Sequence, residues 1–154
     1  MTNAASAHFL CEPHPDHPGW NRYDIGDLAG YNRAVLGDLI IRAEGESHCR
    51  TRLVPLEHHL NVNRRIHGGV TLGLIDVALF AAMYLLRGIP VSGAVTLDLQ
   101  TQFIGAGDGS KPLDAVVEVL RETYRMGFLR GLVVQEDALV ASFSGIIRKP
   151  SKTA

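Results

Sequence analysis

From Val70 to Leu86 the chain runs through 17 residues of mainly apolar character, and Asp76 near the middle is the only charged one among them. The run has no strand-like alternation, and Arg87-Gly88 followed by Pro90 is a helix-ending signal. His67-Gly68-Gly69 leads directly into it and predicts a loop feeding a helix that starts near Gly69. A helix that is apolar on every side must be covered on nearly every side. The run is at the short limit for crossing a bilayer and carries an acid at its centre, so a helix buried in a folded core is the expected form.

The rest of the chain has to supply that cover. Leu39 to Ala43 and Ser47 to Val54, split by Glu44-Gly45-Glu46, read as a hairpin closed by Pro55. After the helix, Val95, Leu97, Leu99, Thr101 and Phe103 alternate with Thr96, Asp98, Gln100 and Gln102, which predicts a strand with one dry and one wet face. Leu113 to Thr123, Phe128 to Gln135 and Leu139 to Arg148 follow as three more strands, the last two joined tightly at Asp137-Ala138. Antiparallel strands on short turns form one sheet with one dry face. A curved sheet wrapping the helix, an α+β arrangement, satisfies both demands. One small sheet cannot enclose a helix, so a partner subunit is expected to complete the cover.

Before the first hairpin the pattern is weaker. Residues 1–23 carry Pro13, Pro15 and Pro18 with His14, Asp16 and His17, and read as an irregular lead segment; residues 24–150 read as the folded domain. Asp24 is positioned to cap a short helix with Leu28, Tyr31 and Val35 on one face and Gly37 at its end.

With 154 residues the chain is one domain's worth. Its formal net charge of −1 lacks the basic excess of a nucleic-acid binder. The first residues have neither a basic start nor an apolar run, so no signal peptide is read. Cys11 and Cys49 form no CxxC and no disulfide framework, which fits free thiols in a reducing cytoplasm. His14 and His17 lack thiolate or carboxylate companions at ligand spacing, so no metal and no cofactor is expected.

Asp76 is the residue that needs a reason. An ionised carboxylate among Leu74, Ile75, Val77 and Leu79 is costly unless hydrogen-bonded or wet. Two turns into the helix, it is too deep to cap the helix start. It is either paired to a strand amide or an arginine, or held at a cleft as a base or nucleophile. The N–H groups at His67-Gly68-Gly69 are free at a helix start and could stabilise an oxyanion, with Gly69 letting a substrate approach closely. An HGG alone is also what a tight turn looks like; followed by an acid inside an apolar helix it is more specific.

The stretch Asn61-Val62-Asn63-Arg64-Arg65-Ile66-His67-Gly68-Gly69, then Asp76, resembles the signature of the PaaI-like (phenylacetate-degradation-type) thioesterases of the hotdog superfamily: an Asn six positions before the His, an HGG, and an Asp nine positions after the His. The likeness continues through Ala94 to Leu99, where the family carries a Ser or Thr, and covers roughly residues 31–148. It implies a hotdog fold, a dimer or dimer of dimers, and hydrolysis of acyl-CoA thioesters. By the resemblance, Asp76 activates water or attacks the thioester carbonyl. The Gly68 N–H polarises the carbonyl oxygen, Asn61 and His67 orient the substrate or the loop, and Thr96 helps place the water. The site is shared, with Asp76 and Thr96 from one subunit and the loop from the other. Two departures are visible: Arg64 stands where the family usually has Gly, and Thr96 where Ser is common.

Arg64 and Arg65 either change the loop, contact CoA phosphates or are solvated; contact with CoA phosphates or solvation are the two readings for Arg121, Arg125 and Arg130 near the Tyr124-Arg125-Met126-Gly127 turn. Phe80, with Leu79, Met83 and Tyr84, would set the depth of an acyl pocket. His58 and His59 read as loop residues, with a site role as the other reading. Dehydration by a hotdog relative would call for a His beside the helix acid, and none lies on the helix; no GxSxG occurs for a serine hydrolase. The alternative class is a non-catalytic acyl-CoA-binding or sensing domain. Sensors usually add a DNA-binding segment, and the lead is short and not basic.

Overall fold

The computed structural model describes residues 9–26 and 29–151. The order is β1 (Phe9–Pro13), β2 (Asn21–Ile25), β3 (Leu39–Glu44), β4 (His48–Leu53), α1 (Gly68–Arg87), β5 (Val95–Phe103), β6 (Leu113–Glu122), β7 (Met126–Gln135) and β8 (Ala138–Arg148). All eight strands form one antiparallel sheet in the order β1-β2-β3-β4-β6-β7-β8-β5, and α1 lies against one face of it. This is the expected curved sheet around one long helix.

Alternation explains how the sheet seats the helix. Along β4, Cys49, Thr51 and Leu53 are buried toward α1, while His48, Arg50 and Arg52 point to the other side. The outward arginines are paired: Arg50 and Arg52 both donate to Asp114 on β6, and the Arg42 and Arg52 guanidinium groups lie 4.5 and 4.8 Å from the Trp20 ring centre. Under the helix the sheet needs room. A Cβ on Gly145 of β8 would stand 2.6 Å from Leu79 Cδ1, so only glycine lets α1 sit this close. The helix buries Val70, Thr71, Leu74, Ile75, Val77, Ala78, Leu79, Ala81, Ala82 and Met83, leaving a stripe through Leu72, Gly73, Asp76, Phe80 and Tyr84 less covered. Gly88, at φ 64, closes its C-terminus in the left-handed conformation.

Three expectations are corrected. The lead segment is not irregular over residues 9–25: β1 and β2 pair with each other, and β2 pairs with β3, so the hairpin extends the sheet. Its prolines sit at the end of β1 and in the connecting turn, where no ladder N–H is needed. Phe9 of this hairpin packs edge-on against Tyr84 of α1, with ring centres 4.7 Å apart. Asp24 caps no helix; it lies in β2 opposite Leu10. The helical turn that does form, Asn32–Leu36, is a π turn ended by Gly37 at φ 77, and the expected Leu28 position lies outside the described residues. Finally, the apolar residues of β5 are not a dry face in the single chain. Val95, Leu97 and Phe103 are 40%, 54% and 55% exposed on an edge strand, and only Leu99 packs against the core.

Candidate active site

The register between β5 and β8 slips at one point. Thr96 pairs with Ile147 and Asp98 with Ile146, leaving Leu97 as an extra residue. In a regular strand Thr96 and Leu99 would face opposite sides. The bulge puts them on the same side: Leu99 packs against the core and Thr96 reaches α1. There the Thr96 hydroxyl donates to Asp76 Oδ1 at 2.6 Å. Asp76 is half-buried, and this hydroxyl is its partner among the described residues, rather than a strand amide or an arginine. The second carboxylate oxygen has no hydrogen-bond partner among the described residues.

The loop before α1 holds itself with its own polar groups. Asn61 Oδ1 accepts the N–H groups of Asn63 (2.9 Å) and Arg65 (3.1 Å). The Asn61 N–H donates to the Arg65 carbonyl, and the Ile66 N–H to the Gly107 carbonyl. Arg64 stands at φ 60, a left-handed conformation that explains why glycine suits this position. Its guanidinium pairs with Glu57 across the loop. Arg65 is exposed and bridges through its backbone to Asp108.

His67 is the N-cap of α1, and its Nδ1 accepts the Gly69 N–H at 2.9 Å. That engages Gly69, while the Gly68 N–H has no partner among the described residues. Gly68 lies beside Phe103 of β5, whose ring would be 3.4 Å from a Cβ placed there. The structure therefore brings together two groups, Asp76 with Thr96, and Asn61 with His67, Gly68 and Gly69. It does not merge them within one chain. Gly68 and Asp76 are eight residues apart on one helix, a rise of about 12 Å along the axis.

Phe80, one turn beyond Asp76 on the less-covered stripe, is partly buried against the core. Arg125 is exposed in the β6–β7 turn; its carbonyl accepts the Lys149 N–H, which places it at the end of the sheet where Arg148 pairs with Val95, the neighbour of Thr96. Arg121 is exposed nearby, whereas Arg130 lies on the sheet's outer face paired with Glu118. That outer face carries a hollow of about 1100 Å³, lined by residues such as Arg50, Glu118, Arg130 and Leu132. Neither Asp76 and Thr96 nor the Asn61–Gly69 loop lines it. Among the described residues no cluster of His, Cys, Asp and Glu could hold a metal.

Residues 57–147, which contain both groups, match the family described as the acyl-CoA thioesterase N-terminal domain. The chain belongs to this thioesterase family. The thioesterase is 30% identical over 116 residues to "Putative esterase PA0474" of Pseudomonas aeruginosa, an alignment covering 75% of this chain and 86% of that protein. Its fold is the hotdog fold. The E. coli PaaI protein from the phenylacetic acid degradation operon superimposes with a TM-score of 0.68 at 22% identity, over 81% of this chain and 88% of that one. Zebra fish thioesterase superfamily member 2 gives 0.68 at 22% identity, over 79% and 88%. A hypothetical thioesterase protein from Streptococcus pneumoniae TIGR4 with coenzyme A gives 0.67 at 16% identity, over 79% and 92%.

The sequence pattern pointed to Asp76, Thr96 and the Asn61–Gly69 loop, but not to the device that joins Thr96 to Asp76. Nothing local marks Leu97 as the extra residue. The bulge follows from fitting β5 to β8, and that is a non-local constraint.

Proposed function

We propose that this acyl-CoA thioesterase hydrolyses its substrate with Asp76 as the catalytic carboxylate, in a site completed by the Asn61–Gly69 loop of a second copy. The observation that carries the reading is the 2.6 Å hydrogen bond from Thr96 to Asp76 Oδ1 on a helix otherwise lined by apolar side chains. One carboxylate oxygen is oriented by the hydroxyl, and the other is free to take a proton or to attack.

As a base, Asp76 takes a proton from a water whose oxygen bonds to the thioester carbonyl carbon. The carbonyl becomes an oxyanion and receives the Gly68 N–H. Collapse breaks the C–S bond, and the proton passes to the CoA thiolate. As a nucleophile, Asp76 forms a mixed anhydride as CoA thiolate leaves, and water then cleaves it. A single turnover in oxygen-18 water tests the second route: label in the Asp76 carboxylate marks an anhydride opened at the Asp76 carbonyl, whereas trapping of the acyl group on Asp76 by hydroxylamine separates an anhydride opened at the acyl carbon from the base route.

Support for a shared site comes from helix geometry. About 12 Å of axial rise puts Gly68 and Asp76 of one chain out of reach of a single carbonyl. The exposed Val95, Leu97 and Phe103 of edge strand β5 leave apolar side chains for a second copy to cover, and Phe103 lies beside Gly68. Phe80 and Tyr84 line the acyl side, and Arg65 and Arg125 are the cations placed to meet CoA phosphates, since Arg64 is engaged by Glu57.

The test is thiol release from phenylacetyl-, benzoyl-, hexanoyl- and palmitoyl-CoA by the parent and by Asp76→Asn. Release by the parent that falls by roughly 10²–10⁴ in the variant supports the reading. An Asp76→Asn protein that is folded and turns over at the parental rate refutes it. Tight binding of the esters with no release by the parent would favour a non-catalytic acyl-CoA-binding domain.

A further inference from the structure

His59 is completely buried, at 0% exposure, yet it lies in the loop before the catalytic helix and belongs to neither group described above. Both of its ring nitrogens are used. Nδ1 faces the Leu56 N–H at 2.9 Å, so it must be the bare nitrogen, and Nε2 therefore carries the proton and donates to the Val35 carbonyl at 2.6 Å. Its backbone is engaged as well: the His59 carbonyl accepts the His67 N–H at 2.8 Å. One residue thus joins the segment around Val35, the turn at Leu56 and the cap of α1.

Each end of this link leads to a part of the site. His67 takes the Gly69 N–H on its own ring and its carbonyl takes those of Val70 and Thr71, which leaves the Gly68 N–H as the donor of the first helical turn without a partner among the described residues. At the other end, Val35 lies in the turn that follows Tyr31. The Tyr31 hydroxyl stands 3.1 Å from where a Cβ on Gly73 would be, one helical turn before Asp76. Segment 31–36 therefore walls the stripe that carries Asp76, while loop 57–67 aims Gly68.

We infer that His59 is the positioning residue of the oxyanion loop, fixing the direction of the Gly68 N–H by holding His67 and tying that loop to the wall formed by residues 31–36. This rests on the thioesterase reading above. A fully buried ring with both nitrogens bonded to backbone is a rigid spacer, and small displacements of a donor far from the chemistry are expensive in rate.

Two near-isosteres separate the two ring bonds. His59→Gln can still donate to Val35 but loses the Leu56 acceptor; His59→Asn keeps an acceptor near Leu56 but cannot reach Val35. The measurements are kcat and KM for the best acyl-CoA and hydrogen exchange of the backbone amides. Both variants are expected to lower kcat by roughly 10- to 100-fold with KM little changed, with Gln retaining more activity than Asn. The His67 amide is expected to exchange faster while amides of β7 and β8 keep their protection. Parental kcat with His67 protection intact would overturn the inference, and so would protection lost evenly across the sheet, which marks a purely structural role. Absence of turnover in the parent would instead remove the thioesterase reading, and the exchange arm would still decide whether His59 holds the loop.

Discussion

Asp76 is held by a hydroxyl rather than by a cation, and the choice of partner sets what it can do. A guanidinium would engage both oxygens and neutralise the group. Thr96 engages Oδ1 alone. Removing that hydroxyl while keeping the shape, in Thr96→Val, should lower kcat by about 10- to 100-fold, the worth of a hydrogen bond to a charged group. Thr96→Ser should keep most of the activity, and steady-state kinetics of the pair checks this. Gly68→Pro is a sharper probe of the loop. Proline is tolerated at the first position of a helix, and His67 before it is already extended at ψ 138. The substitution deletes one N–H and little else, so kcat should fall by roughly 10²–10³ with the melting temperature nearly unchanged. Asp76 and the HGG were legible as residues because each is conspicuous in its local setting: an acid in an apolar run, and glycines at a helix start. The role of His59 was not, since burial of a loop histidine depends on contacts with residues 35 and 56.

Among the elements, α1 and the hairpin of β3 and β4 follow from local signals: the apolar run, Gly88 after its end, and Gly45 at φ 68 between the strands. The lead strands β1 and β2 do not. Their residues show no clean alternation, and pairing with β3 and the contact of Phe9 with Tyr84 give them their conformation. The close approach of β7 to its neighbours β6 and β8 also rests on non-local fit. A Cβ on Gly131 would stand 2.3 Å from the Val116 carbonyl oxygen and 2.4 Å from Phe143, so Gly131→Ala should destabilise the fold by about 1–3 kcal/mol. Urea denaturation measures it. The loop that His59 anchors adds a pH dependence. Burial, the larger influence, pushes its ring below the ordinary histidine value, and the neighbouring His58 ring acts in the same direction while the Val35 bond opposes. The fold holds the neutral ring, so this contribution is fully present above the unfolded histidine pKa of about 6.5 and is lost as pH falls through the lower folded value. His58, with its ring centre 4.3 Å away and its Nε2 3.0 Å from the same Val35 carbonyl, the Glu57–Arg64 pair, Arg65 and His67 are the other charged or titratable groups of the same loop. The urea midpoint should fall from pH 7.5 to 5.5 more steeply in the parent than in His59→Gln.

At the scale of the whole molecule, the single chain is incomplete in two matching ways. Its helix leaves the Asp76 stripe less covered, and its edge strand leaves apolar side chains in water. A second copy would meet both, as the proposed shared site requires; a monomer mass by light scattering at micromolar concentration would count against it. The most direct test of the central claim mixes two inactive proteins. Asp76→Asn lacks the carboxylate and Gly68→Pro lacks the oxyanion donor. Denatured together and refolded at equal amounts, half of two-fold symmetric dimers are hybrids, and each hybrid pairs one intact Asp76 with one intact Gly68 across the interface. Thioester hydrolysis should then return to about a quarter of the parental rate. A mixture that forms hybrids and stays inactive would show that no site is built from Asp76 of one subunit and Gly68 of the other.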